Sequence, residues 1–261
     1  MKNTIITVLA SGVLAIGALT FSTYVGASDG PSNSFEEKVK QALVSSARTE
    51  TERKRDSNRE PLKAMKFWGL QDDMKVVEII PAGGWYTKLL APVLRDKGEL
   101  VLVSYERYFV DIKDFIHQAP FNKAKKVNVD MRWDYDNRHY VLNTDTFGIK
   151  NADMVLNIRE YHNFIAEDKV KLNKAAFDAL KPGGRYVIVD HSRRHMAPET
   201  FELRRREDPV KVILEVQAAG FVLEKSSDMF YKPDDELVYE VGRKTVMGNT
   251  DRFTLVFKKP E

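Results

Sequence analysis

The sequence predicts a doubly wound α/β fold: a mostly parallel seven-stranded sheet with both faces covered and a helical extension on its N-terminal side. Three observations carry this expectation. Short strand-length runs occur at 75–80, 99–104, 125–129, 153–157, 185–190, 221–226 and 252–257. Stretches of helical period separate most of them, the pattern of βαβ units. Turns bearing glycine or proline mark the joints, and strands joined through helices run parallel.

The elements follow in order. Residues 28–34 form a short linker rich in turn formers, and Ser34 with Glu37 makes a capping box for a helix over 35–55. A short helix over 61–68 ends at Gly69, a C-cap residue. Lys75-Val76-Val77-Glu78-Ile79-Ile80 is the first buried strand, followed by Pro81-Ala82-Gly83-Gly84 and a helix over 85–95. Further helices are expected over 107–117, 168–180 and 209–219, the last stopped by Gly220. Segments 131–150 and 229–251 lack regular periodicity and read as lids or substrate loops.

Composition narrows the class. The 261 residues suffice for one sizeable core. Forty-one Lys and Arg against 38 Asp and Glu leave a net charge of +3, too balanced for a phosphate-tracking surface, so no nucleic-acid partner is expected. The one basic run, Arg204-Arg205-Arg206, is flanked by Glu202, Glu207 and Asp208 and reads as a solvated helix face. No cysteine is present, which excludes disulfides and thiolate chemistry. Lys2, the apolar run over 4–25 and Val25-Gly26-Ala27 predict a signal peptide over 1–27, cleaved before Ser28. A periplasmic or secreted protein with no stable membrane span follows, with an uncleaved anchor as the other possibility. The expected division is therefore leader 1–27, linker and helical extension 28–70, and main domain 71–261.

In an open parallel sheet, ligands sit beyond the carboxyl ends of the strands, where the strand order reverses. Five segments meet that condition: 78–86, 104–106, Asp130, 157–163 and 190–192. Gly83 and Gly84 let backbone approach a ligand closely. The loop has neither the full dinucleotide glycine pattern nor the lysine of a P-loop, which disfavours a diphosphate ligand. Glu78, a carboxylate at a buried strand end, needs a polar partner. His162 and His191 follow strands and could accept a proton near neutral pH, and Tyr161 could shield a substrate. Asp190, His191 and His195 have no established metal-ligand spacing, so no metal is expected. Ser192 lacks the glycines of a nucleophile elbow.

The segment from Val76 to Thr87, with Leu90-Ala91-Pro92 behind it, resembles motif I of class I S-adenosylmethionine-dependent methyltransferases. It is most similar to an exported group with a P-x-G-G-W-Y-T turn. Leu180-Lys181-Pro182-Gly183-Gly184, Ile158-Arg159-Glu160-Tyr161-His162-Asn163 and Gly248-Asn249-Thr250-Asp251-Arg252-Phe253 are similar to later segments of that group. The resemblance implies a Rossmann-like methyltransferase fold and S-adenosylmethionine as cofactor. It places Glu78 at the methionine amine, Ala82, Gly83 and Gly84 along methionine and ribose, Glu106 at the ribose and Asp130 at adenine. Asn157 and the 159–162 loop would line the methyl-transfer side, with His162, His191 and Tyr161 as candidate catalytic groups. Ile80 and Ala82 stand where the superfamily pattern has its first two glycines.

The expected function is methyl transfer to an unidentified small-molecule or lipid-like acceptor. Two other readings stay open at this point. One is an exported binding or accessory protein that keeps the fold without catalysis; the other, less favoured by the glycine pattern, is a nucleotide-dependent oxidoreductase.

Overall fold

The computed structural model describes residues 34–261; the expected leader, its cleavage site and residues 28–33 lie outside the described residues. The chain opens with α1 (Phe35–Val44), α2 (Glu50–Arg53), α3 (Asp56–Arg59) and α4 (Pro61–Trp68). Strand β1 (Lys75–Ile79), helix α5 (Thr87–Leu94) and strand β2 (Glu99–Ser104) follow, then a 3-10 turn (Glu106–Ile112), α6 (Lys113–Ile116) and β3 (Lys125–Asn128). After a hairpin of β4 (Met131–Asp134) and β5 (His139–Leu142) come β6 (Ala152–Ile158), α7 (Ala166–Ala179) and β7 (Leu180–His191). Helix α8 (Pro209–Ala218), β8 (Val222–Ser227) and β9 (Arg252–Lys258) complete the chain.

The sheet has seven strands in the order β3-β2-β1-β6-β7-β9-β8. All neighbours from β3 to β7 pair parallel, and β9 is inserted antiparallel between β7 and β8. This is the doubly wound, mostly parallel seven-stranded sheet that the strand runs predict, in the arrangement that the resemblance implies. Alternate residues of each central strand face opposite layers, as the two-residue period of a strand requires. Val77, Ile79, Val101 and Val155 join the core beside α7 and α8. Val76, Leu100, Met154 and Leu156 join the core with Val39 of α1, Trp68 of α4 and Leu89, Leu90 and Val93 of α5. The N-terminal extension is thus part of one helical layer. Among the described residues no helix is long and apolar enough to cross a membrane.

Several expected boundaries move, each for a local reason. The helix expected over 35–55 breaks after Val44. Buried Arg48 donates to Leu43 O at 2.9 Å and to Glu52 O at 3.4 Å, and pairs with Asp56. Thr49 and Glu52 then form a full capping box that starts α2, whereas at Ser34 only the bond from the Glu37 N–H to the Ser34 hydroxyl forms, the Glu37 carboxylate pairing with Lys40. The helix expected from residue 85 starts at Thr87, because Trp85 and Tyr86 belong to the turn. The expected 107–117 helix is a 3-10 turn followed by one α turn. Part of the irregular 131–150 segment is the β4–β5 hairpin.

The expectation of a solvated helix face at 204–206 is overturned. Arg206 is 1 % exposed and forms a two-pronged pair with Asp235, both contacts at 2.9 Å, while its Nη1 also donates to Ser192 O. Arg204 and Arg205 face the cavity described below. Charge flanking suggested solvent, but buried Asp235 lies far away in sequence and supplies the partner that permits burial.

Candidate functional site

The strand order reverses between β1 and β6, so the loops leaving these strands flank one crevice. A cavity of about 700 Å³ opens there. Its floor includes Glu78 at the end of β1 and the backbone of Pro81, Ala82 and Gly83.

The β1–α5 loop takes a left-handed backbone at alternate positions: Ile80 (φ 50°), Ala82 (φ 49°) and Gly84 (φ 76°). For non-glycine residues that conformation costs about 1–2 kcal/mol each. The chain holds it by hydrogen bonds from Ile80 N to Val103 O and from Gly84 N to Pro81 O, both 2.8 Å. Buried Ile80 joins the core that contains Val103, Met131 and Tyr140, so the cavity stays open despite its bulk. At Gly83 a Cβ would meet no atom within 4 Å, consistent with a bare backbone edge facing open space. Gly84 is required for a different reason, since its Cβ would stand 2.4 Å from the Phe115 ring.

Glu78 is 5 % exposed and accepts a 2.7 Å hydrogen bond from the Thr87 hydroxyl at the start of α5. Burial raises its carboxyl to about 7, opposed by the Thr87 hydrogen bonds and by the Arg59 charge. Glu160, also on the wall, is lifted by burial to about 7 against the opposing pull of His162, the Asn163 amide and Arg159.

The two candidate histidines sit 6.2 Å apart, ring centre to ring centre, on one side of the cavity. His162 Nδ1 is 2.7 Å from Asp190 Oδ1, and its backbone N–H donates to Asp190 Oδ2 at 3.0 Å. Asp190 is fully buried, and its Oδ1 also accepts the His191 N–H. With Nδ1–H committed to that carboxylate, His162 Nε2 keeps a lone pair and has no protein partner among the described residues. His191 differs. Its Nε2 accepts from Arg159 Nε at 3.1 Å, so Nδ1 carries the proton and donates to Thr250 Oγ1 at 2.9 Å. Burial and then the Arg159 charge push its pKa well below the usual histidine value. Both its nitrogens are engaged, which leaves it in the framework rather than with a free basic nitrogen.

Other expected site residues lie elsewhere. Tyr161 is fully buried; it donates to Glu215 and accepts from Asn173, both at 3.0 Å, and does not line the cavity. Asn157 is also in the core, with Nδ2 3.4 Å from the Tyr186 hydroxyl. Glu106 begins the 3-10 turn with its side chain exposed, and Asp130 is exposed and bonded to Asn143; neither lines the cavity. Tyr105, between the end of β2 and Glu106, takes the wall position instead. Gly84 supports the loop from behind rather than lining the space. His195 pairs with Asp208 at 2.8 Å.

Sequence reasoning missed two walls. The first is aromatic: Tyr105, Tyr108, Trp133, Tyr135 and Tyr140, three of them from the hairpin, with Trp133 and Tyr140 rings 4.7 Å apart. Alternation along 131–142 was the available signal. The second is cationic: Arg55 and Arg59 from the extension stand beside Arg159, which belongs to the expected 159–162 loop. Trp85 and Tyr86 stack edge to face at 4.6 Å and reach the cavity, where Arg59 lies 4.3 Å over the Trp85 ring.

Neither a family model nor a curated protein sequence matches the chain. Solved structures do match its fold. An S-adenosylmethionine-dependent methyltransferase from Aquifex aeolicus superposes with a TM-score of 0.56 at 14 % identity, over 85 % of this chain and 97 % of that one. The cyclase SpnF gives a TM-score of 0.56 at 12 % identity, over 78 % and 81 %. Human N-acetylserotonin methyltransferase, in complex with S-adenosylmethionine, gives 0.52 at 10 % identity, over 88 % of this chain and 57 % of its own. At these identities the likeness is one of fold, and the site must carry the function.

Proposed function

We propose that this protein binds S-adenosylmethionine in the cavity beyond β1 and transfers its methyl group to a small-molecule acceptor. One observation carries the reading: Glu78 and the bare backbone of Ala82 and Gly83 face the same open space at the strand-order reversal. The fit to that cofactor is chemical. A carboxylate is available for the methionine amine, backbone without obstructing side chains lies along the ribose path, and the aromatic wall offers faces for an adenine. No acid from the end of β2 lines the cavity, and Tyr105 supplies the polar group at that strand end.

When bound, S-adenosylmethionine supplies a sulfonium methyl that a nucleophile displaces in line, the C–S electron pair returning to sulfur and leaving S-adenosylhomocysteine. The protein's part is alignment and exclusion of water. His162 Nε2, oriented through Nδ1 by Asp190, accepts the proton that an oxygen or nitrogen acceptor releases. Buried Asp190 offsets the positive charge that then forms on the ring.

Residues 1–27 motivate a second part of the proposal, that the mature protein acts outside the cytoplasm. N-terminal sequencing of protein recovered from the envelope tests it, and an unprocessed cytoplasmic product would refute it. The catalytic reading is tested by calorimetric titration of residues 28–261 with S-adenosylmethionine and S-adenosylhomocysteine. Saturable binding that Glu78→Ala abolishes in a folded protein supports it, and no binding by the wild type refutes it.

A further inference from the structure

A smaller cavity of about 310 Å³ shares a wall with the main one. Arg55, Arg59, Arg159, His191 and Val241 line both, and Arg252 with Thr250 closes the far side of the smaller. Arg252 reaches this place because β9 runs antiparallel. Its first residue pairs with His191 at the carboxyl end of β7, so an incoming strand adds a guanidinium to the ring of outgoing loops.

No carboxylate lies within ion-pair distance of the four arginines among the described residues, although Asp251 and Glu52 attract Arg252 and Arg55 from further away. None of the four forms a salt bridge among the described residues, although 27 ion pairs are present elsewhere. The Arg159 side chain donates to neutral His191, and Arg252 Nη2 donates to Asn58 O while its buried Nε has no partner. Arg55 and Arg59 make no side-chain hydrogen bond among the described residues. Arg59 and Arg252 are each only 7 % exposed. Burial pulls Arg59 down to about 9 and Arg252 to about 10, and repulsion from Arg159 and from Arg55 adds to both shifts. Nearby carboxylates are already occupied or partly protonated. Glu52 is bonded to Lys88, Asp190 to His162, and Asp251 Oδ1 accepts from the Lys232 N–H, while Glu78 and Glu160 are raised to about 7. Buried guanidinium groups without carboxylates carry a large desolvation cost, which an anionic ligand offsets.

We infer that the smaller cavity is a binding site for an anionic group, a carboxylate or phosphate, on the methyl acceptor. Guanidinium forks match both anions in two-pronged geometry, and Thr250 adds a hydroxyl on the same wall. The shared wall lets the anionic end of a molecule rest against Arg252 while its other end enters the main cavity beside His162. The assignment of this molecule as methyl acceptor rests on the methyl-transfer reading; the anion site itself does not.

Calorimetry on residues 28–261 with benzoate, phenyl phosphate and neutral benzamide tests it, each with and without saturating S-adenosylhomocysteine. The expected result is that one or both anions bind in the presence of S-adenosylhomocysteine and benzamide does not. Arg252→Gln, which alters the smaller cavity alone, should weaken the anion about tenfold or more, the loss of one charged hydrogen-bond pair, and leave S-adenosylhomocysteine affinity unchanged. Arg185→Gln, on the surface, should leave both unchanged, and thermal melting identifies any variant that fails to fold. If Arg252→Gln is unfolded, Arg252→Lys serves, with weaker anion binding expected because the fork is lost. No saturable anion binding up to the millimolar range overturns the site. Displacement of the anion by S-adenosylhomocysteine also overturns it, because the arginines then serve the cofactor's own carboxylate. Anion binding by a protein that binds no S-adenosylhomocysteine upholds the anion site and overturns its occupant's role as methyl acceptor.

Discussion

The Thr87 hydroxyl donates to Glu78 Oε2 at 2.7 Å, across the turn that joins β1 to α5, with both side chains buried. One hydrogen bond does not compensate the carboxylate for lost water, and the folded protein holds the Glu78 proton up to about pH 7. The unfolded chain releases it near 4.5, the ordinary value for a glutamate. Between those values the folded state binds more protons, so the stabilisation from neutral Glu78 is complete at low pH and is lost as pH rises through 7. Relative to wild type, Glu78→Gln should gain roughly 2–3 kcal/mol of stability between pH 5 and pH 8. Urea unfolding of the ligand-free proteins at both pH values measures the difference, and parallel curves would contradict it.

The same carboxyl sets a pH dependence for the cofactor. An amine beside Glu78 favours its ionised form, so S-adenosylhomocysteine binding should release a proton below pH 7 and strengthen up to that pH. Calorimetry in buffers of different ionisation heat reads the proton directly. Glu78→Gln should abolish the release and weaken binding by about 1.5–3 kcal/mol.

His162→Ala should lower kcat by about 10²–10⁴, the usual worth of a positioned base, with S-adenosylhomocysteine affinity nearly unchanged. Asp190→Asn should also slow turnover, because an amide no longer fixes the Nδ1–H tautomer. Steady-state kinetics and S-adenosylhomocysteine calorimetry on both variants separate a loss of turnover from a loss of cofactor binding. Equal activity of His162→Ala and wild type would remove His162 from the proposed chemistry.

The loop backbone makes opposite predictions at two neighbouring positions. Ala82, at φ 49°, is strained as an alanine. Ala82→Gly should relieve about 1–2 kcal/mol of strain and lose part of that to unfolded-chain entropy, a net gain of up to about 1 kcal/mol. Gly84→Ala combines a φ of 76° with a Cβ 2.4 Å from the Phe115 ring, so it should lower the melting temperature. Thermal melts of the two variants should move apart.

Arg206 and Asp235 tie the loop after β7 to the segment before β9. Arg206→Ala leaves Asp235 buried without its cation and should cost about 3–5 kcal/mol. Denaturant unfolding checks the value, and a loss below about 1 kcal/mol would indicate that water reaches Asp235.

Much of the architecture was legible along the chain because it depends on local patterns. The strand runs and the turn at Gly83-Gly84 express burial period and backbone freedom, and both were found near their observed places. Glu78 was legible for the same reason, as a carboxylate ending a buried run. The break in the first helix was also written locally, in Thr49 and Glu52, but the longer helical period over 35–55 hid it. The consequence is large, since that break brings Arg55 and Arg59 to the cavity.

The sequence by itself determined the layered sheet, the position of the crevice and the bare loop beside Glu78, since each depends on period, turn chemistry or strand ends. Only the tertiary structure decided which side chains face the crevice. Tyr161, Asn157, Glu106 and Asp130 all stand near strand ends, yet the first two pack inward and the last two point to solvent. The cationic wall joins residues from α3 and its start, the loop after β6 and β9, and the His162–Asp190 pair joins two neighbouring strand exits. Contacts between segments far apart in the chain depend on strand order and direction, and a run of residues records neither until the sheet is assembled.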